Sequence, residues 1–80
     1  ARKMNSYLLV IRMGEEAERA ANQLVGSIRV QQLKSKTVSS NGIEATYEVR
    51  VEKPDALLNK LRSVPGVYDA TLVSYTGETA

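Results

Sequence analysis

The stretch GIEATYEVRVE, residues 42–52, decides the fold. In it Ile43, Ala45, Tyr47, Val49 and Val51 alternate with Glu44, Thr46, Glu48, Arg50 and Glu52. An unbroken period of two is the pattern of a strand with one buried and one solvated face. The apolar face has to be covered, and the charged face reads as wet. The rest of the chain is read as what covers this strand and pairs with its edges.

Immediately upstream, Ser40-Asn41-Gly42 reads as a tight turn, with Asn41-Gly42 as its centre, because both residue types tolerate positive φ. Residues 29–39 therefore fold back as the neighbouring strand. Val30, Leu33 and Val38 do not keep one parity, which predicts a bulge near Gln31-Gln32. Leu33, Ser35 and Thr37 are then expected to face the core and Lys34 and Lys36 to point outward, where lysines blunt a sheet edge. Downstream, Lys53-Pro54-Asp55 opens a helix, since proline costs nothing in a first turn. Leu57, Leu58, Leu61 and Val64 form its apolar stripe, Pro65-Gly66 ends it, and residues 67–75 read as a last strand.

Toward the N-terminus, residues 5–13 contain Tyr7-Leu8-Leu9-Val10-Ile11, a short run apolar on both sides that suits a central strand. Gly14 stops it. Over residues 15–28 the period changes, with Ala17, Ala20, Ala21, Leu24, Val25 and Ile28 on one helical stripe and three glutamates in the first turn. The alanines make that stripe shallow, so the helix can approach a sheet closely. The predicted order is β-α-β-β-α-β. Two right-handed crossovers around a hairpin give a ferredoxin-like α+β sandwich. Its antiparallel sheet has order 4-1-3-2 and carries both helices on one face.

Eighty residues make one small domain. Cysteine and histidine are both absent, which removes disulfides and the usual zinc, iron–sulfur and haem ligand sets. No calcium-loop pattern of alternating aspartates is present, so neither metal nor cofactor is expected. A net charge of +2 is too small to argue for nucleic acid. The longest apolar run, residues 7–11, is far too short to cross a bilayer, and no signal-peptide core is visible. The opening Ala1-Arg2-Lys3-Met4 has two readings: Met4 as the natural start behind extra residues, or a domain excised from a longer protein. The second is favoured here.

The candidate functions are weighed against these residues. RNA binding by a sheet of this kind needs aromatic residues on the open face, but the central strand offers Glu44, Thr46, Glu48, Arg50 and Glu52 there. Cross-strand pairs among Lys34, Lys36, Glu44 and Glu48 on a solvated face are expected instead. Hydrolytic chemistry needs a nucleophile with a base, and the serines occupy ordinary strand, turn and cap positions. Phosphate chemistry after the first strand has Arg12 nearby but meets Glu15-Glu16, a poor anion cradle. A small ligand at the turn after the first strand would involve Gly14 and Glu15. Self-association is the preferred reading. Leu8 and Val10 face away from the core and leave an apolar strip on the open sheet face, which Tyr68 or Tyr75 could extend from the last strand.

Residues 61–75, LRSVPGVYDATLVSY, resemble the end of an ACT-type regulatory domain. The segments KSKTVS (34–39), GIEATYEVR (42–50) and LVSYTGE (72–78) are similar to the C-terminal cytoplasmic domain of a family of uncharacterised bacterial membrane proteins, comparable to the tail of MgtC-type membrane proteins. The resemblance implies a non-catalytic regulatory or oligomerisation domain on the cytoplasmic face of the bacterial inner membrane. Its partners would be further copies of itself and the membrane-spanning segment of its own chain. Arg2-Lys3 would then follow a last membrane helix, as the positive-inside rule expects. ACT domains that bind amino acids commonly carry an aspartate and a glycine at the turn after the first strand. Here Gly14 matches, but the acidic residue follows it. A free-standing ligand-binding ACT-like dimer is the alternative reading.

Overall fold

A computed structural model describes residues 4–74. Strand β1 spans Asn5–Met13, followed by one 3-10 turn at Glu15–Ala17 and helix α1 at Glu18–Gly26. Strands β2 (Val30–Ser39) and β3 (Gly42–Val51) form a hairpin, then come helix α2 (Pro54–Arg62) and strand β4 (Val67–Ser74). The fold is α+β, with one antiparallel four-stranded sheet in the order β2-β3-β1-β4. Counted from the β4 edge this reads 4-1-3-2, so the two strands with the cleanest apolar patterns are the central pair.

The core follows from that alternation. Leu9, Ile11 and Met13 of β1 and Ile43, Ala45, Tyr47 and Val49 of β3 are buried on one side of the sheet. Against them lie Ala17, Ala21 and Val25 from the first helical segment and Leu57 and Leu61 from α2. Both helices therefore cover the same sheet face. The alanine stripe is narrower than expected, because Ala20 is exposed and the buried positions 17, 21 and 25 run strictly at i+4. The helix also starts and ends differently from its predicted span. It is entered through the 3-10 turn, where Gly14 O accepts from Ala17 N–H at 3.0 Å. It closes at Gly26, where the Ser27 hydroxyl donates to Leu24 O at 2.7 Å and satisfies an end carbonyl.

Strand β2 departs most from its predicted reading. The register slips between Leu33 and Ser35, so Lys34 is the extra residue, not Gln31 or Gln32. Beyond the slip Lys36 pairs with Ala45 and Val38 with Ile43, which puts both on the helix side. Ser35 and Thr37 fall on the open side. The ion pairs agree: Lys34 reaches Glu48 at 3.9 Å, whereas Lys36 pairs with Glu18 on the helix layer. Every residue of β2 is exposed, so no burial on either face sets its parity. The hairpin differs too. Ser39 pairs with Gly42, leaving Ser40-Asn41 as the turn, and only Gly42 (φ +106°) has positive φ.

Tyr47 ties the sheet to α1. Its ring is buried and its hydroxyl donates to Asn22 Oδ1 at 2.7 Å. Burial, reinforced by the charge of Glu18 and opposed by Lys36, raises its phenol above the ordinary tyrosine value. Below about pH 10 the phenol is neutral in folded and unfolded chains alike, and its contribution is intact. As pH climbs past that value the unfolded chain ionises first, so stability falls through the raised folded pKa. Tyr47→Phe is expected to be less stable by about 1 kcal/mol at neutral pH, through loss of the hydrogen bond. That gap should shrink as pH rises above 10 by roughly one unit. Urea unfolding of both proteins across this range checks it, and a constant gap would contradict the assignment.

Candidate functional site

The sheet face away from the helices carries the candidate site. Antiparallel register arranges it in rows across the strands. Val73, Leu8, Glu48 and Gln32 form one row, and Thr71, Val10, Thr46 and Ser35 the next. Asp69, Arg12, Glu44 and Thr37 form the third. Directly opposed residues share a face. Because Leu9, Ile11 and Met13 are wholly buried, Leu8, Val10 and Arg12 must stand on the other side. Leu8 and Val10 are half-buried, and Val73 beside Leu8 is exposed.

The charges around this strip are mixed. Glu44, Glu48 and Asp69 stand against Arg12, Lys34 and Arg50. Arg12 Nη1 lies 3.7 Å from Asp69 Oδ2. Both partners are largely solvated, so the pair contributes little to stability and serves to keep the rim polar. A neutral patch of this kind offers phosphate no attraction. Among the described residues no stacking ring stands in the middle of it either, because Tyr47 is on the core side.

Of the four residues predicted to make the interface, Leu8 and Val10 stand together on this face. Tyr68 is the extra residue at the register shift between Arg12 and Met13, and it is separated from Leu8 by the Arg12–Asp69 row. Its ring lies toward Gly42 at the hairpin end. It is 62% exposed and belongs to the corner of the face, not to the strip. Tyr75 lies outside the described residues. Val73 was missed, and its signal was available only through the pairing of β4 with β1, which decides that Val73 and not Leu72 faces outward.

The turn after β1 has less room for a ligand than its glycine suggests. Gly14 is buried and its N–H donates to Gly66 O at 2.9 Å, so that donor is already committed. The Glu16 carboxylate packs beside both glycines: a Cβ on Gly66 would fall 2.9 Å from Glu16 Oε2. Glu15 is exposed and stands away from that contact. The Glu16 carboxylate thus occupies space beside Gly14, the glycine of the predicted pair. Among the described residues, no group of three or more carboxylates gathers where it could hold a metal ion, and no helix is long and apolar enough to cross a membrane.

Comparison with protein-family models, with curated proteins and with solved structures returns no match.

Proposed function

We propose that this chain is a non-catalytic association domain that pairs with a second copy through its open sheet face. The observation that carries the reading is the strip Leu8, Val10 and Val73 on a sheet face that, among the described residues, no helix covers. The mixed acidic and basic residues around it suit a copy of the same surface, because neither sign dominates the rim. The order of elements and the central placement of β1 and β3 support a ferredoxin-like, ACT-like sandwich as its class. The resemblance supplies the wider setting: a regulatory or oligomerisation module on the cytoplasmic face of a bacterial membrane protein. The committed N–H of Gly14 argues against an amino-acid site at that turn.

Val10→Asp tests the reading. Val10 is half-buried with no partner from the helix layer, so the variant should fold with a loss of about 1 kcal/mol. A carboxylate at the centre of a dry interface should weaken dimerisation by about a hundredfold. Sedimentation velocity across a concentration series reads this directly. A wild-type protein that stays monomeric, or a folded variant that associates like wild type, would sink the proposal.

A further inference from the structure

The end of the domain where α1 finishes and α2 begins holds a groove of about 450 Å³. Its walls come from two helical stripes. Leu24 near the end of α1 is followed by Ile28 just beyond it, while Ala56, Leu57 and Lys60 of α2 lie three, four and seven residues after its N-cap, Lys53. Val51 closes the floor. The wall side chains Leu24, Ile28 and Leu57 pack into the core from below, so the inside of the groove is aliphatic and fixed.

Its rim has a different character. Arg29, Lys53 and Lys60 border it, and Glu52 is its acidic member. None of those three cations enters an ion pair among the described residues. The N-cap of α2, Lys53, makes no side-chain cap hydrogen bond. Aliphatic walls under an unpaired cationic rim match an amphiphile with an anionic head. No residue lining the groove is aromatic, so a nucleobase would find no stacking surface. The apolar surface lies between two helices and not on a protruding face. A single alkyl chain fits along it.

We infer that this groove binds a free single-chain amphiphilic acid, its phosphate or carboxylate head among Arg29, Lys53 and Lys60 and its alkyl chain along Leu24, Ile28 and Leu57. The site lies on the helix layer and is independent of the sheet-face association. The test is an amide-shift titration of the ¹⁵N-labelled full chain with dodecyl phosphate below its micelle concentration. Dodecyl maltoside supplies the same tail with an uncharged head, and inorganic phosphate the head without a tail. Saturable shifts at Ile28, Arg29, Val51, Ala56 and Leu57 with dodecyl phosphate alone are expected. The double variant Lys53→Glu/Lys60→Glu, both sites being exposed, should keep its fold and bind about tenfold or more weakly. Equal binding of dodecyl maltoside, equal affinity in the double variant, or binding only to phosphatidylglycerol vesicles with no response to dodecyl phosphate would each overturn the inference.

Discussion

Gly42→Ala is expected to destabilise the domain by about 2–4 kcal/mol. Gly42 opens β3 with φ +106°, a backbone conformation that L side chains rarely adopt. The position also has no room. A Cβ there would press into the carbonyl oxygen of Met13, which belongs to backbone at the end of the central strand and cannot swing aside as a side-chain tip would. Strain and crowding therefore act together on the hairpin that joins β2 to the rest of the sheet. A small domain of this length has a total stability of only about 4–12 kcal/mol, so the loss should be plain in urea or thermal unfolding. Gly26→Ala is the internal control. Nothing lies within 4 Å of its Cβ position, it ends α1, and its φ is not positive. Alanine there should be neutral or stabilising by up to about 1 kcal/mol, through a less flexible unfolded chain. If both variants unfold at the same denaturant concentration, the turn is not set by Gly42.

These two glycines also mark where a sequence carries its own structure and where it does not. β1 and β3 were legible because each buries one face, so the core imposes parity on every second residue. β2 was not, because both its faces are exposed and nothing penalises a shift by one residue. The slip at Lys34 sends Lys36 to Glu18 instead of to the open face, and no local pattern announces that. Within the sheet-face site, Leu8 and Val10 could be assigned from parity opposite Leu9 and Ile11, whereas Val73 needed the register of a strand sixty residues away. The packing of Glu16 against Gly66 and the groove between α1 and α2 are further removed. They join segments far apart in the chain, and only the closed fold brings their charges and apolar walls together.

The helix layer gives the second large effect. Leu61→Ala should cost about 3–5 kcal/mol, in the upper part of the range for leucine truncations. Leu61 is wholly buried, and it is one of only two large fully buried side chains that the helices supply, Val25 being the other. Its neighbours across the layer are unusually short. Ala17 and Ala21 belong to the same core cluster, and a methyl group cannot swing into a gap as a longer side chain can. A core of that kind cannot relax inward to fill the missing volume, and the cost of a cavity grows with what stays empty. Leu58, on the neighbouring position of the same helix, is only partly buried and makes the comparison. Leu58→Ala should lose about 1–2 kcal/mol, since solvent already reaches part of that side chain. Urea unfolding separates the two outcomes. The expected result is a large drop in midpoint for Leu61→Ala at unchanged slope and a smaller one for Leu58→Ala. Equal losses would mean that the helix layer around Leu61 relaxes into the gap after all, and that its alanine-lined side is softer than its packing implies.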